Sequence, residues 1–279
     1  MTEHLSDESA PVSTESIVET HVPAALEEQS DGSWLSALED QITDLTAEQQ
    51  YEEPSAGAFL ERVYSLTLTA VAELASEDPV EEWLDDLEPL VHAASTDDAH
   101  DRDPTDFVVH VYISALLRLS EGTRPESVDA GYSELFERAL ETIDSDVLPH
   151  WYRTYVRLLR SSNRHPRDWL PWLVSDAVGR ADRRDERICE TDEQWIALVV
   201  AVTAEVVRFV HLGVQAGSEL AEGHFDDVVQ TVTGTLSDDG EFLQAVRTQV
   251  AARLEDEYGD ETAAAHWQDA VDAATRTTE

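Results

Sequence analysis

The chain has 279 residues, with 60 Asp or Glu against 18 basic residues, a formal net charge of −42. All 18 basic residues are arginine, and the single cysteine, Cys189, excludes an intrachain disulfide and a multi-cysteine metal site. Charge of this sign repels phosphate backbones, which makes nucleic acid the least expected partner, and every long apolar stretch is interrupted by charge where a membrane span needs roughly 20 predominantly apolar residues.

Residues 1–31 mix Ser, Thr, Glu, Asp and Pro with few large apolar groups. Fixing each residue costs about 1–2 kcal/mol of backbone entropy, and this stretch has little to bury in return, which predicts a disordered acidic tail. Within it, Val18, Val22 and Leu26 are spaced for a short helix on a partner. The first eight residues lack the basic region and apolar run of a signal peptide, so a cytoplasmic location is expected.

An all-α domain is predicted over 32–279, with a candidate sub-boundary near 180–191. Trp34, Leu35, Leu38, Ile42 and Leu45 share a helical face after a cap at Ser33. A second helix follows Pro54, with Phe59, Leu60, Val63, Tyr64 and Val71 inward. Pro79 opens a third through Trp83, Leu84 and Leu87, which Pro89 ends or kinks. After an acidic loop over 93–103, Asp103-Pro104 starts a helix with Phe107, Val111 and Leu116, closed by Gly122. Further helices carry Tyr132, Leu135, Phe136 and Leu140, then Trp151, Tyr152, Tyr155 and Leu159, then the segment 168–179.

The longest pattern runs over 191–217. Thr191 or Asp192 accepts the first free helical amides, Glu193 suits the positive helix end, and glycines close the far end. From Trp195 to Val202 the apolar residues point in almost every direction, which predicts burial on all sides; Glu205, Arg208 and His211 then open a polar stripe. Such a helix is roughly 37 Å long, enough to cross a domain. Three more follow, over 218–236, 238–257 and 260–274. The predicted fold is all-α, a multi-helix bundle or irregular helical-hairpin array of about ten helices around the long central helix 191–217.

Three resemblances accompany this pattern. The absence of Lys, the single Met and the dense carboxylates resemble cytoplasmic proteins of salt-accumulating haloarchaea. The physical reason is screening, because the Debye length falls to about 3 Å at 1 M salt. The segment from Tyr132 to Leu140, with Pro149, Trp151 and Tyr155, resembles half of a tetratricopeptide repeat, and Ala264, Trp267, Ala270 and Ala274 resemble the second helix of such a unit; no fixed period runs through the rest. Asp103-Pro104-Thr105-Asp106 and Arg167-Asp168-Trp169-Leu170-Pro171-Trp172-Leu173 resemble the two recurring segments of the all-helical chaperones that mature molybdopterin oxidoreductases, without that family's Pro-Asp-His core. That resemblance implies binding of an enzyme's leader peptide.

Familiar catalytic and cofactor motifs do not occur: there is no HExxH, no Glu-x-x-His, no glycine-rich phosphate loop and no Gly-x-Ser-x-Gly. Glu88 and His92 lie one turn apart without third or fourth ligands, and Asp85-Asp86 lacks the third acid of a magnesium motif. No cofactor, no metal ligand and no catalytic residue is expected.

One feature exceeds the background. Nine of the 18 arginines fall between Arg153 and Arg187 among five carboxylates, a local net of +4, so the remainder carries −46. Arg153, Arg157, Arg160 and Arg164 recur at helical spacing, followed by Arg167, Trp169 and Trp172. Arginine suits bidentate carboxylate or phosphate contacts and stacking on aromatics, and tryptophan supplies apolar anchors. These seven residues form the candidate binding surface; the alternative is that the arginines neutralise neighbouring acidic helices. The reading is a non-catalytic adaptor or scaffold that binds an acidic protein partner in a halophilic cytoplasm, with no membrane contact. A maturation-chaperone role and a small-ligand enzyme using Glu205 with His211 are the alternatives. Because self-repulsion at −42 is screened only by salt, the melting temperature should rise steeply from dilute buffer to molar potassium chloride; a calorimetric scan showing no rise would contradict the salt-adapted reading.

Overall fold

The computed structural model describes residues 11–28, 33–74, 80–98 and 100–278. These residues form twelve α-helices and a 3-10 turn at Pro125–Ser127, with no strand beyond one isolated bridge between Val12 and Tyr51. The protein is an all-α multi-helix bundle with a long central helix. It divides into two compact units, Met1–Leu119 with Asp129–Thr142, and Ser120–Val128 with Ile143–Glu279. The expected sub-boundary near 180–191 is therefore not where the units part.

The first unit holds α1 (Thr14–Glu28), α2 (Ser33–Glu48), α3 (Ala56–Glu73), α4 (Val80–Ser95), α5 (Pro104–Leu119) and α6 (Ala130–Thr142). Its own core helix is α3, which packs against α1, α4, α5 and α6. Ser55 caps α3 by accepting from the Ala58 amide at 3.2 Å, and Phe59, Val63 and Val71 are fully buried. The expectation of disorder over 1–31 is corrected here: 14–28 is helical, and Ile17, Val18 and Val22 are buried. Helix α1 packs on α3 and α2; the Thr14 hydroxyl donates to Glu53 at 2.7 Å, and Arg62 of α3 pairs with Glu15. A short helix gains its stability from such packing rather than from its own propensity, which is why local composition misjudged it. Residues 1–10, the Leu26 and Ser33 side chains and Pro79 lie outside what is described.

Pro89 does not end α4. The helix runs on to Ser95, because one missing hydrogen bond is outweighed by a buried face made of Trp83, Leu84, Leu87 and Val91; α4 packs on α3 and α5, and Trp83 meets Trp34 of α2.

The second unit holds α7 (Leu148–Ser161), α8 (Trp169–Arg183), α9 (Asp192–Gln215), α10 (Glu219–Thr235), α11 (Gly240–Asp256) and α12 (Glu261–Thr278). All the others pack on α9. Its start is a capping box: the Thr191 hydroxyl accepts from the Gln194 amide at 3.2 Å, and the Gln194 side chain accepts from the Thr191 amide at 3.2 Å. Its far end turns at Gly217, whose φ of +75° favours glycine. Contrary to the sequence expectation, α9 is long and apolar enough to cross a membrane by length and composition; in this fold 67% of that apolar window is buried in the protein. The polar stripe is also buried at two of its three positions, Glu205 and His211.

Replacing Thr191 with Ala removes the cap and should lower stability by about 1 kcal/mol, measurable by denaturant unfolding in molar potassium chloride.

Candidate functional site

The arginine-rich window folds into the second unit. Pro149 suits the first turn of α7, where no amide partner is needed, and Trp151, Tyr152, Tyr155, Val156 and Leu159 form the face buried largely against α9. Arg153, Arg157 and Arg160 flank that face, and the last two reach α9 at Glu205 and Phe209. Helix α7 ends at Ser161, so Arg164 and Arg167 lie on the following connection and not on the same helical stripe.

Most of these cations are engaged inside the molecule. Arg153 donates to Glu257 at 2.9 Å and Arg164 to Glu121 at 3.1 Å. Arg157 forms a fork on Glu205, at 3.1 and 3.2 Å. Glu205 is 1% exposed and also accepts from the Tyr258 hydroxyl at 2.7 Å, with Arg208 at 3.9 Å. Burial alone would raise the Glu205 carboxyl, but the bonds from Arg157 and Tyr258 and the charges of Arg157 and Arg208 hold it below its ordinary 4.5. Beyond α7, Arg180 pairs with Asp176, Arg184 with Asp192 and Asp239, and Arg187 with Asp185. Internal neutralisation accounts for these six arginines.

Arg160 and Arg167 differ. Their guanidinium carbons lie 4.7 and 5.6 Å from the centre of the Phe209 ring, a cation–π arrangement, and Arg167 also donates to the Arg160 carbonyl at 2.8 Å. Among the described residues neither has a carboxylate partner.

Beside them lies a cleft of about 400 Å³, lined by Arg167 from the connection before α8, Leu170 from the start of α8, Phe209, Val210, Leu212 and Gly213 from α9, and Ser218, Leu220, Ala221 and His224 around the start of α10. Leu212 and Leu220 are 46% and 61% exposed, the two large apolar side chains left in solvent among the described residues. Gly213 permits the close approach of α10, since a Cβ there would meet the Ala221 methyl at 2.6 Å. His224 is buried, with Nε2 3.9 Å from Asp168.

The two expected tryptophan anchors part company. Trp169 is fully buried and donates its indole N–H to the Thr123 carbonyl at 2.8 Å, which makes it core; Trp172 meets it edge-on at 5.1 Å and is partly exposed. Neither lines the cleft. Glu205 and His211, the enzymatic candidates, do not line it either. Each is held in its own network, with the His211 Nδ1 3.1 Å from His266 Nδ1. Among the described residues no group of three His, Cys, Asp or Glu is placed to hold a metal. Burial raises the Cys189 thiol to about 11, so it is protonated at neutral pH.

The two chaperone-like segments fall in different units, where Asp103 caps α5 by accepting from the Thr105 amide at 3.0 Å and Arg167–Leu173 leads into α8. The two patches of the first repeat-like stretch, on α6 and α7, are likewise in different units. Phe209, Leu212, Gly213 and Leu220 were not singled out by sequence. Leu220 falls in the row of His224 and Val228, which periodicity assigns to the core. Comparison with protein-family models, curated proteins and solved structures finds no match for this chain.

Because the Glu205 carboxyl is depressed in the fold, its contribution is present above pH 4.5 and is lost as the pH falls below that value. Glu205→Gln should cost about 2–3 kcal/mol near neutral pH, at or just below the usual range for a broken buried pair because Arg157 is half-exposed and can turn to water. Unfolding titrations across pH check this, and the gap from wild type should close under acid.

Proposed function

We propose that this chain is a non-catalytic, protein-binding adaptor of a salt-rich cytoplasm, and that the cleft of its second unit docks an acidic, partly apolar segment of a partner protein. The observation that supports this most is the pairing of Leu212 and Leu220, exposed at the cleft, with Arg160 and Arg167, which lack carboxylate partners among the described residues. In a chain of net charge −42, with carboxylates available nearly everywhere, two such guanidiniums beside an apolar hollow complement a partner that brings its own carboxylates.

The magnitudes are compatible with a working contact. Covering an exposed leucine contributes about 1.5–3 kcal/mol, and a bidentate carboxylate on a stacked guanidinium adds orientation. At molar salt the screening length is about 3 Å, so ion pairs act only at contact and long-range repulsion from the acidic surface is removed. The arginine surface named from sequence is narrowed by this reading to Arg160 and Arg167, with Leu212 and Leu220 replacing the tryptophans as anchors. That Glu205 and His211 are engaged away from the cleft argues for binding over catalysis.

The test is fluorescence anisotropy in molar potassium chloride with a labelled amphipathic helical peptide, leucines on one face and glutamates on the other. Leu220→Glu and Arg160→Glu should each weaken binding about tenfold or more, with circular dichroism unchanged. Equal affinity across wild type and both variants, or no binding to wild type, overturns the reading; saturable binding of decanoate in place of the peptide would reassign the cleft to a small ligand.

A further inference from the structure

His211 stands between Val210 and Leu212 on α9, both of which line the cleft. Its ring meets His266 of α12, with the two Nδ1 atoms 3.1 Å apart and the ring centres at 5.2 Å. His266 in turn stacks on Phe225 of α10, centres at 4.0 Å and planes within 5°, and Phe225 follows the lining residue His224. The two histidines thus tie α12 to the parts of α9 and α10 that wall the cleft, and α12 packs on both helices.

The protons are assigned with the Gln215 amide oriented to donate to both His211 and Thr262. The Gln215 amide nitrogen lies 3.0 Å from His211 Nε2 and 3.0 Å from the Thr262 hydroxyl oxygen, and that hydroxyl donates to Asp260 at 2.9 Å. An amide N–H on His211 Nε2 makes that nitrogen an acceptor, so Nδ1 carries the hydrogen and donates it to His266 Nδ1. The pair holds one proton between the facing nitrogens. Any further proton must take either His211 Nε2, which displaces the Gln215 donor, or His266 Nδ1, which sets two N–H groups face to face. The first choice also costs a tie between helices, because a Gln215 amide turned to accept from His211 gives up its bond to Thr262 at the start of α12; the second breaks the His211–His266 bond itself.

The charges around the pair are few. Asp260, which also caps α12 by accepting from the Ala263 amide at 3.0 Å, favours a cation on His211; Arg208, one turn back on α9, acts on Asp260. From α10 the pair meets the uncharged Phe225 ring. Burial and the neighbouring His266 oppose protonation of His211, and the balance lies below its ordinary value of 6.5. A group so depressed stabilises the fold above that value and ceases to do so as the pH falls through it.

We propose that His211 and His266 form an acid-sensitive latch on the docking cleft, so that protonation frees α12 from α9 and α10 and releases the bound segment. This rests on the docking reading, but its first half can be tested without it. Hydrogen exchange is followed in molar potassium chloride at about pH 7.5 and about pH 5.5, a span in which histidines titrate and ordinary carboxylates do not. Amides of α12 over Ala263–Val271 should lose about tenfold or more of their protection relative to those of α3, which serve as the internal reference.

His266→Phe keeps a ring to stack on Phe225 and removes the acceptor of the His211 N–H; its α12 should show no such pH dependence, and His211→Gln provides a second variant should that one fold poorly. Equal protection of α12 and α3 at both pH values in wild type overturns the latch. Peptide anisotropy on the same samples separates the two claims. Loss of α12 protection without peptide binding at either pH would sustain the latch and reject the docking reading, whereas equal peptide affinity at both pH values with α12 still protected would reject the latch and leave docking standing.

Discussion

A 24-residue helix with thirteen buried positions makes every buried polar group costly unless it is partnered. The Thr203 hydroxyl goes without a partner among the described residues, and the second unit is organised by the partners of the one buried carboxylate, Glu205. Glu205 is the most demanding of these groups. It is satisfied by a fork from Arg157 on α7 and a hydroxyl from Tyr258 in the turn after α11, so one carboxylate joins three parts of the unit. Arg208 reaches the same carboxylate and lies over the Tyr258 ring at 4.3 Å. The apolar majority of α9 supplies the burial; this cluster sets where its neighbours stand.

The same need for a partner divides the arginines. In so acidic a chain a guanidinium finds a carboxylate wherever the backbone permits, and six in the window from Arg153 to Arg187 do so. Arg160 and Arg167 instead settle on an aromatic face, where their charge is attracted by the ring but not cancelled. Arg167 gives one of its N–H groups to the Arg160 carbonyl. The cleft beside it exists because α9 and α10 come together tightly at Gly213 and Ala221, turn at Gly217, and leave Leu212 and Leu220 on the outside of that junction.

Much of the architecture was legible from local pattern. The all-α class, the capped long helix with Trp195 and Val202 inside, and the three helices after it follow from 3.6-residue periodicity and from caps such as Thr191, which act within a few residues of chain. The pattern failed where stability is non-local. Helix α1 has few apolar residues and forms because α3 receives them; α4 continues through Pro89 because neighbouring helices, α3 and α5 among them, cover its face. The division into two units was invisible, since the second unit includes Ser120–Val128, separated in sequence from the rest of it by α6.

The site was legible in kind and not in detail. Composition by itself determined that arginines concentrate between Arg153 and Arg187 against an acidic background, and helical spacing placed Arg153, Arg157 and Arg160 together. Only the tertiary structure decided which of them are spoken for, because that depends on carboxylates such as Glu205 and Glu257 brought from 48 and 104 residues away. It also sent Trp169, read from sequence as a surface anchor, into the core and left Leu220 outside, although its row on α10 is otherwise buried at His224 and Val228. Periodicity reports which side of a helix is apolar; whether another helix covers that side is a property of the whole fold.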